Sequence, residues 1–132
     1  TISCPNTKEF LPNKTIFTLA KKFAGKTKLD IIHDPKKAVA DADVVYTDTW
    51  QSYHIPDSLM KQRISSLKKY QVNDSLFNLN KKMLFMHCLP ATRGMEVTDD
   101  VIDSKRSIVY DAAENRLWIQ MSILLKLLEV VS

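Results

Sequence analysis

The stretch that decides the fold is residues 83–90, Met-Leu-Phe-Met-His-Cys-Leu-Pro. An apolar run that ends in polar residues and a proline predicts a buried strand, because proline cannot donate a hydrogen bond to a sheet. In open α/β sheets ligands bind at the carboxyl ends of the strands, so we expect this strand to deliver side chains to a cleft. Side chains alternate between the faces of a strand, which argues against a nucleophilic pair built from the neighbours His87 and Cys88.

The composition of the chain is that of an ordinary globular domain. Its 132 residues, 45% hydrophobic and 26% charged, are enough for one domain with a real core. The net charge of +4 comes without basic runs between aromatic residues, which argues against a nucleic-acid partner, and no apolar stretch is long enough to predict a membrane span. Cys4 and Cys88 have neither metal nor disulfide spacing, so we expect free thiols, no metal site and a reducing, cytoplasmic location.

Strand and helix patterns alternate along the chain. Strands are predicted at residues 28–33, 44–48, 83–88 and 107–110, and residues 1–12 are predicted to form a loop. The second strand lacks polar alternation until its end, as in a parallel strand that is covered on both faces. The alternation predicts an α/β fold of three layers, with helices on both faces of a mainly parallel sheet.

Helix signals fill the segments between these strands. Asn13 precedes an apolar pattern at helical spacing that ends near Gly25, and Asp34 followed by proline is a typical helix start. Further helices or helical turns are predicted at residues 56–67, 72–79 and 98–100.

The last helix is predicted to run from about residue 112 to residue 130. Asp111 and Glu114 have the spacing of a capping box that would begin it. Its apolar residues occupy nearly every side of the helix, which predicts that the helix is buried on more than one side. They include Trp118, Ile119, Met121, Ile123, Leu124, Leu125, Leu127 and Leu128.

Polar side chains cluster at three places where strands end or a helix starts. These are residues 48–52 (Asp-Thr-Trp-Gln-Ser), residues 87–90, and residues 114–116 (Glu-Asn-Arg) at the start of the last helix. In a parallel sheet all three would meet at one edge. There a carboxylate can hold a substrate ammonium, and an arginine at a helix N-terminus can hold an anion. Taken singly, four of these residues have ordinary structural explanations. They are Asp48 as a cap, Ser52 as a turn residue, Cys88 as a buried thiol and Arg116 as a surface ion-pair partner.

Three motifs, in this order, resemble the C-terminal half of the ornithine carbamoyltransferases. They are Asp-x-Trp-x-Ser at residues 48–52, His-Cys-Leu-Pro-Ala-x-Arg-Gly-x-Glu-Val-Thr-Asp at 87–99, and Asp-x-Ala-Glu-Asn-Arg-Leu at 111–117. The resemblance covers essentially the whole chain. The aspartate carbamoyltransferases share the fold but carry a proline at the position of Cys88, which favours the ornithine branch.

The resemblance implies an activity and a set of site residues. The family transfers a carbamoyl group from carbamoyl phosphate to the side-chain amine of ornithine, giving citrulline and phosphate in arginine metabolism, without metal or organic cofactor. Asp48 and Ser52 would bind the amino-acid end of ornithine. Cys88 and the backbone of Leu89 would lie against the reacting amine and the carbamoyl group. Arg116 would help to hold carbamoyl phosphate, so the implied catalytic residues are Cys88, Asp48 and Arg116.

Two departures from the family pattern leave alternatives open. The carbamoyl phosphate half of the family, with its Ser-x-Arg-Thr and His-Pro-x-Gln segments, is absent. Residues 1–132 are therefore expected to be an ornithine-binding domain that is incomplete at its N-terminus, inactive alone, and part of a homotrimer at full length. Tyr53 and His54 follow Ser52 where the family has Met-Gly, so Tyr53 is expected among the substrate-binding residues. The alternatives are a putrescine or other amine carbamoyltransferase, and a non-catalytic module that binds an amino acid or a partner subunit.

Overall fold

The structure, a computed structural model, describes residues 1–52 and 55–128 and confirms the α/β class. In chain order the elements are β1 (Ile2–Ser3), α1 (Lys14–Phe23), β2 (Ile31–Ile32), α2 (Pro35–Val39), β3 (Val44–Thr47), α3 (Asp57–Leu67), a 3-10 turn (Lys68–Tyr70), α4 (Asp74–Phe77), β4 (Leu84–His87), α5 (Asp99–Ile102) and α6 (Val109–Leu127). The expectations for Tyr53, for His54 and for the last helix beyond residue 128 lie outside the described residues.

All strand pairing between these elements is parallel, as predicted, but it forms two separate pairs. β1 pairs with β2, and β3 pairs with β4 in a register that places Val44 opposite Leu84 and Thr47 opposite His87. The predicted loop at residues 1–12 was wrong where it contains β1, and the predicted strand at residues 28–33 is limited to β2. The sequence pattern could not reveal β1, because a strand of two residues has no measurable periodicity.

β3 is not covered on both faces, so that prediction is wrong. Val44 is 43% exposed and Tyr46 is 57% exposed, while Val45 between them packs toward the core. The run Val-Val-Tyr lacks polar alternation, yet one of its faces lies open in this chain.

The predicted fourth strand at residues 107–110 is also wrong. Ser107 forms a single parallel bridge with Phe85, and the N–H of Ile108 donates to the carbonyl of Phe85 at 2.9 Å. The helix has already begun at Val109, whose side chain is 1% exposed. Two β-branched residues followed by a tyrosine indicated a strand, but the segment turns into a helix as soon as this one contact with β4 is made.

The main core lies on one face of β4. Phe85 is fully buried there, with the ring of Phe77 from α4 edge-on at a centroid distance of 6.4 Å. Val101 of α5 and Val97 belong to the same cluster. A buried side chain of this size contributes about 1.5–3 kcal/mol, so this cluster fixes the position of β4. Met86, on the other face of β4, lies beside α6, so helices flank this strand on both sides.

The helix starts that the sequence predicts before α1 and α2 are confirmed. Asn13 Oδ1 accepts from the N–H groups two and three residues further on at 3.0 and 3.2 Å, and Asp34 Oδ1 accepts from the N–H of Lys36 at 3.0 Å. Gly25, with φ of 58°, follows the end of α1 in the left-handed conformation that glycine adopts readily. The predicted helical turns at 72–79 and 98–100 correspond to α4 and α5.

α6 departs from its prediction in both its start and its burial. It begins with Ile108 as N-cap and without a side-chain cap, so the predicted capping box of Asp111 and Glu114 lies inside the helix. Val109 is its buried residue, and the predicted burial on more than one side is wrong for this chain. Apolar side chains of α6 are exposed by 40% or more at Leu117, Trp118, Ile119, Met121, Ile123, Leu124, Leu125 and Leu127. No helix among the described residues is both long and apolar enough to cross a membrane.

Candidate functional site

The candidate site forms where β3 and β4 end. Thr47 and His87 are the last paired residues, so Asp48 and Cys88 follow on neighbouring strands and on the same face. The thiol of Cys88 donates to Asp48 Oδ1 with an Sγ–Oδ1 distance of 2.9 Å. The N–H of Thr49 donates to the same oxygen at 2.7 Å, which holds the carboxylate in place. The parallel register therefore joins the first two polar clusters that the sequence placed at one sheet edge.

The surroundings of Cys88 favour the protonated thiol. Burial raises its pKa, and the hydrogen bond to Asp48 and the negative charge of that carboxylate raise the pKa further. A reactive thiolate needs the opposite environment, with a nearby positive charge or helix N-terminus that lowers the pKa. The geometry accordingly suits a thiol that donates a hydrogen bond, not a covalent nucleophile.

Arg116 joins this pair from α6. Its Nη1 donates to the carbonyl oxygen of Cys88 at 2.9 Å, so the guanidinium lies against the backbone at the end of β4. Because α6 begins at Val109, Arg116 lies two turns inside the helix. The expectation that it stands at a helix N-terminus is wrong, and its positive charge comes from the guanidinium alone.

A buried histidine and glutamate lie beneath the site, and neither was among the predicted site residues. His87 Nδ1 accepts from the N–H of Leu89 at 2.8 Å, and His87 Nε2 lies 3.5 Å from Glu96 Oε1, with both side chains fully buried. Glu96 Oε1 also accepts from the N–H of Thr92. The pair thus binds the backbone on both sides of the turn that follows β4. Sequence pattern gives no signal for a buried glutamate, although Glu96 belongs to the second motif.

Leu89 stands at the centre of this turn in an unusual conformation. Its φ is 51°, in the left-handed region that a leucine rarely adopts, and the peptide bond to Pro90 is cis. The Cys88 sulfur is 3.8 Å from His87 Nδ1, so the two side chains come closer together than strand alternation predicts. That nitrogen is already the acceptor for Leu89 N–H, so the imidazole orders the turn and does not activate the thiol.

The loop beyond Pro90 is tied to α5 by Arg93. Its Nη1 donates to Asp99 Oδ1 at 2.7 Å and its Nη2 to Asp103 Oδ1 at 2.8 Å. These contacts raise the pKa of Arg93 and lower the pKa of Asp103. The segment after the candidate site is therefore held at its far end by an exposed cluster of charges.

A groove of about 290 Å³ opens beside Arg116, near the lower limit of about 300 Å³ for small-molecule sites. Met86 of β4 and Ile119 of α6 form apolar walls, and Asn115 and Gln120 add amide groups. The accessible lining of this groove is almost entirely apolar, and the polar side chains lie along its border. Among residues 1–52 and 55–128, no three His, Cys, Asp or Glu side chains are grouped as a metal site would require.

The structure does not bring Ser52 into contact with the thiol. Its side chain is exposed, and its carbonyl accepts from the N–H of Ile55 at 2.9 Å. Tyr53, the other predicted residue of this loop, lies outside the described residues. Of the predicted site residues, Asp48, Cys88 and Arg116 form one connected set with Leu89 at its edge.

Comparison with known proteins places this geometry in a family. Residues 1–127 match the family described as aspartate/ornithine carbamoyltransferase, Asp/Orn binding domain. The ornithine carbamoyltransferase of Archaeoglobus fulgidus is 47% identical over 118 residues, which cover 89% of this chain and 38% of that protein.

Solved structures agree with the sequence relatives. Ornithine carbamoyltransferase from Pyrococcus furiosus has a TM-score of 0.82 at 40% identity, over 93% of this chain and 40% of that one. Ornithine transcarbamoylase from Giardia lamblia has a TM-score of 0.81 at 38% identity, over 92% of this chain and 39% of that one. The chain spans about two fifths of the length of these relatives.

Proposed function

This chain belongs to the ornithine carbamoyltransferases, and from that premise we propose that it is the ornithine-binding part of an enzyme that carbamoylates the side-chain amine of ornithine. The products are citrulline and phosphate, and the reaction belongs to arginine metabolism. The observation that carries the proposal is the connected set of a carboxylate, a protonated thiol and a guanidinium at the ends of β3 and β4. The family resemblance first drawn from the three sequence motifs is confirmed.

Asp48 is the residue that we assign to the amine of the substrate. Its Oδ1 already accepts from the thiol of Cys88 and from the N–H of Thr49, and its negative charge attracts an ammonium group. The amine must lose a proton before its lone pair can attack. A carboxylate next to a protonated thiol offers an acceptor and a donor on the two sides of that nitrogen.

Arg116 is the residue that we assign to carbamoyl phosphate. One of its five N–H donors is used by the Cys88 carbonyl, and others can point to the oxygens of the donor substrate. The neutral amine attacks the carbamoyl carbon, the bond from that carbon to the phosphate oxygen breaks with its electron pair on phosphate, and the nitrogen then releases a proton. Positioning and charge stabilisation are the main contributions of such a site.

Leu89, Ser52 and Tyr53 complete the proposed binding site. The backbone of Leu89, whose N–H donates to His87 Nδ1, would lie against the reacting amine and the carbamoyl group. Ser52 and Tyr53 follow Asp48 on the same loop, where they would meet the α-amino end of ornithine. Non-catalytic binding of an amino acid is the weaker alternative, because simple binding needs no thiol against a carboxylate.

The whole protein would hold more than this chain. We propose that residues 1–132 form the larger part of the ornithine-binding domain, that a carbamoyl phosphate domain completes the enzyme, and that the full-length protein is a homotrimer. The support for a further domain is that the chain matches about two fifths of the length of its relatives, and the homotrimer is what the family resemblance implies. Cys4 and Cys88 are both free, which fits a reducing cytoplasm.

Substrate choice is the point that most needs an experiment, because Tyr53 and His54 stand where the family has Met-Gly. The test is a comparison of kcat/KM for ornithine, putrescine and lysine with the intact protein. We expect ornithine to be preferred, since Asp48 and Ser52 are retained. A preference for putrescine by more than about tenfold, about 1.4 kcal/mol of transition-state discrimination, would contradict the assignment and favour a putrescine carbamoyltransferase.

A further inference from the structure

The loop that carries Ser52 is anchored through its middle residue, Trp50. The indole side chain is 5% exposed and packs with Leu67 and Tyr70 in a second hydrophobic cluster, separate from the core under β4. Asp48 lies two residues before Trp50 and Ser52 lies two residues after it. The position of Trp50 therefore determines how these two side chains are presented together.

Arg63, which was not among the predicted site residues, reaches this anchor from α3. Its Nε donates to the carbonyl oxygen of Trp50 at 2.6 Å, and its guanidinium lies over the ring of Phe10, 4.9 Å from the centroid. Arg63 is half-buried, so solvent competes with this hydrogen bond less than it would at the surface. The contact joins the N-terminal segment, α3 and the loop at one guanidinium.

We propose that Arg63 is a positioning residue for the amine substrate: by holding the carbonyl of Trp50, it sets the path of residues 48–52. The proposal rests on the proposed function, because it assigns to Arg63 an effect on ornithine and not on carbamoyl phosphate. A planar guanidinium can stack on Phe10 and donate sideways through Nε at the same time, which a lysine ammonium cannot do. Burial of the indole fixes the depth of the loop, whereas the bond to the Trp50 carbonyl fixes the direction of the backbone.

The first measurement does not depend on activity. Hydrogen exchange followed by mass spectrometry is compared for the intact protein and for Arg63→Gln, with Lys61→Gln as a matched control at an exposed position of the same helix. We expect Arg63→Gln to speed amide exchange in the peptide that covers residues 49–52 and to leave the peptide that covers residues 84–89 unchanged. Unchanged exchange at residues 49–52 would overturn the proposal.

The second measurement separates positioning from general stability. In steady-state assays Arg63→Gln is expected to raise the KM for ornithine by about tenfold, the order expected for loss of a charge-assisted hydrogen bond, with the KM for carbamoyl phosphate within about twofold of wild type. Arg63→Lys should recover only part of the loss. Equal rises in both KM values, or a lower Tm with neither KM changed, would overturn the role. A wild-type protein that carbamoylates no amine would contradict the proposed function, while the exchange experiment would still decide whether Arg63 holds the loop.

Discussion

The hydrogen bond between Cys88 and Asp48 sets the chemistry of the thiol. Burial and the neighbouring carboxylate both favour the uncharged form, so the pKa of Cys88 is raised. At neutral pH the sulfur then carries its proton and, in the proposed function, would share it with the amine nitrogen of the substrate. In the proposed function, Asp48 would be the acceptor for the same amine.

This leads to a prediction for thiol alkylation. In residues 1–132 carrying Cys4→Ser, which leaves one thiol in this chain, the pH midpoint for alkylation of Cys88 by iodoacetamide should lie above that of a free cysteine, about 8.5. Asp48→Asn should move the midpoint down, because it removes the negative charge that opposes thiolate formation. Midpoints that coincide in the two proteins, or that rise with Asp48→Asn, would show that the carboxylate does not control the thiol.

The sequence predicted some of these residue contacts and missed others. The meeting of Asp48 and Cys88 followed from strand alternation and from the rule that parallel strands end at one edge. The contact of Arg116 with the Cys88 carbonyl depends on where α6 begins, which the pattern placed too late. Glu96 could not be found at all, since a glutamate is read as exposed unless its buried partner is known.

At the scale of elements, the turn after β4 is held between a buried pair and a surface cluster. The surface cluster joins Arg93 to Asp99 and Asp103, at the start and end of α5. Exposed ion pairs contribute little singly, but this one is partly bidentate. These ion pairs connect the loop that starts at Cys88 to the two ends of α5.

The pH dependence of this cluster can be predicted with its sign. Arg93 lowers the pKa of Asp103 in the folded chain, so the stabilisation is present above the unfolded pKa of about 3.9 and is lost as the pH falls through the lower folded pKa. Asp103→Asn should therefore cause a small drop in Tm at pH 7 that shrinks below about pH 4. Asp100→Asn, on the same helix and outside this set of ion pairs, is the control. An equal effect of the two substitutions at every pH would contradict the assignment.

α6 leads to a second prediction at this scale. The helix is apolar on nearly every side, yet its side chains from Leu117 onward lie open in this chain. Exposed apolar area of this kind binds dyes and promotes association. The chain at high concentration should bind a hydrophobic dye and self-associate, and Leu124→Lys should reduce both. A monomer that binds no dye, with α6 protected from hydrogen exchange, would show that the surface is covered.

The helices and strands also show which structural features the sequence pattern can predict and which it cannot. The caps at Asn13 and Asp34 were predicted correctly because side-chain capping is a local property of the sequence. Residues 107–110 were misread because Ile-Val-Tyr has strand propensity, whereas a single bridge to Phe85 and the burial of Val109 decide the structure. The open face of β3 could not be predicted, because an apolar run indicates burial but not whether the packing partner belongs to the same chain.

At the scale of the whole molecule, the chain contains one part of a site, and apolar faces of β3 and α6 are exposed. In the proposed function, the set of Asp48, Cys88 and Arg116 would supply groups for the amine and one guanidinium for carbamoyl phosphate. One guanidinium is a small share of the positive charge that a phosphate needs in a water-excluded site. Closure of a second domain over both substrates would supply the rest.

The most direct test is citrulline formation from ornithine and carbamoyl phosphate, measured side by side for the intact protein and for residues 1–132 alone. We predict citrulline from the intact protein, a large loss with Asp48→Asn, and none from the 132-residue chain above its Cys88→Ala control. An intact protein that forms no citrulline, or an isolated chain that forms it above that control, would contradict the account.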